Sequence, residues 1–354
     1  MILFFFVFLI TLLIQFIPVK DEKGYKKRTL WTFVPLFLYG ALRIDFGLDY
    51  DLYEANFNSI KLYGIDSIGS HQEFGYRFLC SLLPSFRVLL ILDSFLICWA
   101  YYTLFYKLVP KKYTWLAVIL FFLSGKTTVF FMYSGIRNGI SIAIFILAFT
   151  YMVDRKWIHF ALFTATAAMI HTSAAFIMPI AFLIANRRDI EIRVLAIWLG
   201  IMLFFMFSSL GDFVMELFDY MNLVTDRYDE YVEELSETVD NRGFSASSAA
   251  LLQALLVGGM MLRMKIEERK NPLYKLLLFY LFCGTLGNLN YRISSFFIFF
   301  SILAIVRLYY LCKDSLLKVA LVVVALFVSS YDFLQALGDL SKSFGNSIWF
   351  FNII

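Results

Sequence analysis

The chain has 354 residues, 61% of them apolar and 16% charged, with 41 phenylalanines and a formal net charge of +4. Soluble domains run nearer about 45–50% apolar and about 25% charged. This balance excludes a soluble globular domain and points to an all-α polytopic membrane protein, because hydrocarbon accepts the surface that water rejects.

Apolar runs occur near residues 1–18, 29–44, 87–106, 113–131, 134–153, 157–172, 173–185, 194–210, 246–262, 273–289, 293–311 and 316–330. Several approach the roughly 20 residues a helix needs to cross the bilayer. The pattern predicts about twelve transmembrane helices in a single domain over residues 1–354, with loops and no separate soluble module. The first run, Met1 to Ile17, has no basic flank and no small-residue cleavage site, so it reads as a retained span. The 173–185 run is short and contains Pro179, which suits a kinked or re-entrant segment. Cys80, Cys98, Cys283 and Cys312 show no CxxC or Cys/His spacing and read as apolar packing residues.

Charge sets the expected orientation. Alternate loops (Lys20 to Arg28, Lys107 to Lys112, Asp154 to Lys156, Arg187 to Arg193, Arg263 to Lys275, Arg307 to Lys318) hold 21 of the 31 basic residues and 8 of the 27 acids. The remaining loops hold 10 basic residues and 18 acids, with Asp93 alone inside a span. Basic loops stay in the cytoplasm, so the N-terminus and the long loops 45–86 and 211–245 face outward. Both long loops carry amphipathic periodicity, Tyr50, Tyr53, Phe57 and Ile60 in one and Tyr228, Tyr231, Val232 and Leu235 in the other. Such helices lie on the membrane surface, cap an outward cavity or simply solvate a loop.

Ionisable side chains near hydrocarbon are costly and commonly functional. At about 1.5 Å per helical residue, Arg43 lies roughly 22 Å from Arg28, Arg137 roughly 27 Å from Arg155, His171 roughly 22 Å from Lys156 and Arg292 roughly 25 Å from Lys275. The four therefore share one depth, just inside the outer surface. Arginine presents a fork that suits phosphate, and Arg137 also follows Ser134-Gly135 at a helix start, where free N–H groups favour an anion. A snorkelling arginine that only reaches the headgroups is the plainer alternative for each. His171 serves as a general base, a donor to phosphate or a packed residue. Acids cluster after Arg43 at Asp45, Asp49, Asp51 and Glu54, followed by Glu73, and a carboxylate there can accept a hydroxyl proton or merely solvate the loop. No metal site or cofactor is expected. P-loop, HExxH and GxSxG motifs are absent, and no basic patch interleaved with aromatics suggests a nucleic-acid partner.

The run Arg43-Ile-Asp-Phe-Gly47-Leu-Asp49-Tyr50-Asp-Leu-Tyr53, then Glu73-Phe-Gly75-Tyr-Arg-Phe78, resembles the opening of the EpsG family of membrane proteins. Arg137-Asn138, His171-Thr-Ser173 and Asn290-Tyr291-Arg292 with Phe296 resemble that family's later elements, with Asn138 where Gln is commoner. The resemblance implies a Wzy-like polymerase of exopolysaccharide or capsule synthesis with the type C integral-membrane glycosyltransferase fold. It also implies polyprenyl-pyrophosphate-linked oligosaccharides as donor and acceptor, and no nucleotide sugar. A flippase and a chain-length regulator would be its partners in the bacterial cytoplasmic membrane. On this reading Arg43, Arg137 and Arg292 bind the donor pyrophosphate, Asp49, His171 or Glu73 takes the proton, and Tyr50 and Tyr53 stack on sugar or anchor at the interface. Two other classes fit the spans: a transporter or flippase of lipid-linked sugars, which would favour charge along a path through the membrane, and a membrane-bound acyltransferase, which would centre on His171.

Overall fold

The computed structural model describes residues 2–44, 46–47, 49–65, 72–124, 135–172, 174–175, 295–296 and 298–344, with isolated positions at 197, 200, 256 and 258–260. Apart from those isolated positions, the expected spans near 194–210, 246–262 and 273–289, the outer loop 211–245 and Arg292 lie outside the described residues. The chain divides into two compact units, Met1–Ile180 with Ser329–Ile354, and Ala181–Val328.

The regular elements among the first unit's described residues are helices. Helix α1 spans Ile2–Ile14, α2 Glu22–Ala41, α3 Tyr50–Tyr63, α4 Phe74–Leu82 and α5 Phe86–Leu108; a 3-10 turn at Lys111–Tyr113 leads to α6 Thr114–Leu123, followed by α7 Ile136–Val153 and α8 Trp157–Ile170. Two later helices follow, α9 Ile298–Leu311 and α10 Ser315–Phe344. Helix α5 with 23 residues and α7 with 18 are each long and apolar enough to cross a membrane unaided. At about 1.5 Å per residue the 13- and 14-residue helices α1 and α8 fall short of about 30 Å of hydrocarbon. The described helices thus account for fewer full spans than the dozen expected.

Local chemistry explains the helix ends. Asp21 caps α2, its carboxylate accepting from the Gly24 N–H at 2.8 Å. Thr29 and Thr32 inside α2 donate back to the carbonyls of Tyr25 and Arg28, and the Thr32 hydroxyl also accepts from Gln15 just past α1. Between α7 and α8, Arg155 takes a left-handed φ of 58° and the Lys156 N–H returns to the Tyr151 carbonyl at 2.9 Å, closing a tight helical hairpin at the expected basic loop. Helix α10 runs past the expected end near residue 330 because its sequence contains no proline to stop it.

Packing follows α1 on α2, α2 on α5, α5 on α7, and α7 on α8. Phe33 of α2 meets Phe105 and Phe121 edge-on at 5.5 and 5.7 Å. The small residue Ser141 faces α8, and its hydroxyl donates to the Ala167 carbonyl at 2.8 Å. Outward faces are apolar: Phe5, Leu9 and Leu13 on α1, and Leu316, Val319, Val323 and Phe327 on α10, are all exposed. Water does not tolerate such stripes on adjacent helical turns, and with the long apolar helices they mark a membrane protein.

Polar ties gather at the two ends of this bundle. At one end Lys107 pairs with Asp154 at 2.8 Å, Lys111 pairs with Glu22, and the Tyr25 hydroxyl bonds the ends of α5 and α6. This is the end the charge pattern assigns to the cytoplasm. The candidate residues lie at the other.

Candidate functional site

Three segments meet at that end. Helix α3 turns Tyr50, Phe57 and Ile60 inward, the face its sequence period picks out, and packs them against Phe86 and the start of α5. The chain then reaches α4, whose Gly75 approaches the turn before His171 so closely that a Cβ would stand 2.6 Å from the Met169 carbonyl oxygen. Glycine is therefore the residue that lets α4 dock on the end of α8. This contact delivers Glu73, at the extended position before α4, to Arg137 in the first turn of α7 and to Thr172 just after α8.

The Arg137 Nη1 donates to Glu73 Oε2 at 2.9 Å. Glu73 Oε1 accepts from the Thr172 N–H at 2.9 Å and from its hydroxyl at 2.7 Å. Burial alone would push the Glu73 carboxyl up; the Arg137 charge, the two Thr172 donors and the charge of His171 outweigh it and hold it below its usual range. His171 itself is buried, and its N–H closes the last turn of α8 on the Ala167 carbonyl at 2.9 Å. The arrangement is a cation in the first turn of a helix, a carboxylate engaged through both oxygens, and an imidazole beside them. It can receive an anion at Arg137, while His171 accepts a proton in its neutral form and donates to phosphate in its charged form.

Arg43 has a different setting. Its Nη2 donates to Asp93 of α5 at 3.0 Å, its Nη1 to the Ser94 hydroxyl and the Gly40 carbonyl, each at 3.2 Å, and its own carbonyl accepts from Arg87 Nη1 at 2.6 Å. Arg43, Asp93 and Ser94 are all buried. The structure thus joins Glu73, Arg137 and His171 in one cluster and gives Arg43 a carboxylate partner of its own. Asp93, the acid inside a span, is buried and hydrogen-bonded as its place in an apolar run suggests, but its arginine partner and the role of Arg87 were not foreseen from the sequence. A signal existed: Asp93 lies fourteen residues from Lys107, roughly 21 Å by helical rise, the depth already assigned to Arg43.

Asp49 precedes α3 half-exposed, and its carbonyl accepts from the Tyr53 N–H at 2.9 Å. Tyr50 is buried with its ring edge-on to Phe86, and Tyr53 is half-buried against Tyr76. Both rings serve to anchor α3, and a sugar would reach Tyr50 only if α3 moved. Arg292, expected as the third phosphate ligand, lies outside the described residues. Among the described residues no three His, Cys, Asp or Glu side chains gather in one place.

The EpsG family matches residues 28–348, a stretch that contains every residue discussed above as a candidate for the site. No curated protein and no solved structure matches the chain.

Proposed function

Because the chain belongs to the EpsG family, we propose that it is a polysaccharide polymerase that transfers a growing glycan from its polyprenyl-pyrophosphate carrier to a second lipid-linked repeat unit. The observation that carries this reading is the cluster of Arg137, Glu73 and Thr172 beside His171, three separate elements of the sequence drawn to one end of the bundle. Basic loops remain in the cytoplasm, and the cluster lies at the helix ends opposite Lys107 and Asp154. The reaction therefore runs on the outer face of the bacterial cytoplasmic membrane, where a flippase delivers the substrate.

The acceptor hydroxyl oxygen attacks the anomeric carbon of the donor. The bond from that carbon to the pyrophosphate oxygen breaks, and its electron pair leaves with the lipid pyrophosphate. Arg137 meets the charge that develops there, at the positive end of the α7 helix dipole. The hydroxyl proton passes to His171 or Asp49. Glu73 makes a poorer base, since both its oxygens are engaged and its carboxyl is held below the usual range. Its part is to aim Arg137 and to hold the end of α8 that carries His171.

The test is reconstitution. Purified protein with lipid-linked repeat units lengthens chains with no other protein present. Movement of the lipid across a vesicle without lengthening indicates a flippase, and a requirement for an acyl donor indicates an acyltransferase; either outcome removes the polymerase reading.

A further inference from the structure

We infer that Asp93 is the counter-ion that positions Arg43, and that this pair directs the chain from α2 into the Asp49 segment instead of binding the lipid pyrophosphate. The Arg43 side chain is held on α5 by Asp93 at 3.0 Å and Ser94 at 3.2 Å. Its backbone carbonyl is held on the first turn of the same helix by Arg87 at 2.6 Å. One residue is therefore pinned at two points on α5, directly after Leu42 ends α2. The chain has only a few residues left before α3. It turns at Gly47, where φ is +132°, and the Gly47 carbonyl accepts from the Tyr50 N–H at 3.1 Å to open α3. Fixing Arg43 consequently fixes where Asp49 stands.

Charge and access argue against a pyrophosphate ligand at Arg43. Asp93 opposes it directly, so the pair offers little net attraction to an anion, and an entering phosphate would have to displace a buried carboxylate. Arg137 is also opposed by a carboxylate, Glu73, but that pair is partly open and sits at a helix N-terminus, where an anion can reach it.

This inference deepens the polymerase reading and relies on it only for a kinetic readout. Arg43→Met, Asp93→Leu and the double variant are made in the full chain, purified in detergent, and measured for melting temperature and for KM and kcat with lipid-linked repeat units. Replacing one member of a sealed pair strands the other's charge, whereas an apolar pair of similar volume is tolerated. Each single variant is therefore expected to melt well below the parent and lose polymer by about tenfold or more, and the double variant to recover both, to within about threefold in kcat with an unchanged donor KM. A double variant that melts like the parent yet shows a donor KM raised about tenfold overturns the inference, because Arg43 then touches the substrate. Additive melting losses overturn it as well, because the two side chains are then uncoupled. Should the parent make no polymer, the polymerase reading falls, while recovery or additivity in melting still decides the pair.

Discussion

The Arg43–Asp93 and Arg137–Glu73 pairs have almost the same separation, 3.0 and 2.9 Å, but the side chains of the first are 1% and 0% exposed and those of the second 16% and 17%. The chemistry is identical, and the surroundings make the two behave differently. Inside a sealed site, neither charge has any water to fall back on, so each depends on the other. At a half-open site, water or an incoming phosphate can take the place of either partner. A sealed pair belongs to the architecture, and an open one can exchange ligands during a reaction.

The comparison is tested most severely by removing one partner from each pair. Asp93→Ala should cost about 3–5 kcal/mol by stranding the Arg43 charge, seen as a large loss of folded protein from the membrane and a lowered melting temperature. Arg137→Ala should lower polymer formation by about 10²–10³-fold while protein level in the membrane stays close to the parent's, since water reaches Glu73. Polymer of normal length from that variant removes Arg137 from the mechanism. If Arg137→Ala disappears from the membrane as Asp93→Ala does, the distinction between the pairs is lost.

A smaller effect probes how the open pair is assembled. Gly75→Ala places a Cβ 2.6 Å from the Met169 carbonyl oxygen and 2.7 Å from its Cβ; backbone must shift, at about 1–3 kcal/mol. Its melting temperature should fall, and activity should fall further than stability because Glu73 no longer meets Thr172. The smallest effect is that of pH. The Glu73 carboxyl is depressed in the folded protein, so its contribution is fully present above the unfolded value of about 4.3 and is lost as pH drops through the lower folded value. Melting temperature should hold down to about pH 5 and then fall, and Glu73→Gln should flatten that acid limb. An unchanged acid limb in the variant would mean that Glu73 carries no depressed carboxyl.

Much of the plan was legible in order along the chain. The hairpin between α7 and α8 sits at its basic loop, and the period of Tyr50, Phe57 and Ile60 named the buried face of α3. The membrane-length helices α5 and α7 fall where hydropathy placed spans near 87–106 and 134–153, because a long apolar run is itself what hydrocarbon demands. Depth arithmetic set Arg43, Arg137 and His171 at one level, but depth is one coordinate, and the direction around each helix that decides neighbours is another. Arg43 turned toward α5 and Arg137 toward Glu73, a difference no spacing along the chain contains.

The sequence by itself determined the solvent, the family and the residues that carry charge near hydrocarbon, because composition and short-range spacing are properties of the chain alone. Which carboxylate faces which arginine was decided only by tertiary structure. Asp93 meets Arg43 because α2 and α5 pack antiparallel with their ends tied, and Glu73 meets Arg137 because a glycine lets α4 close on the end of α8. Pairings of this kind depend on how helices rotate against one another, and that rotation is set by the sum of many apolar contacts, with no single motif encoding it.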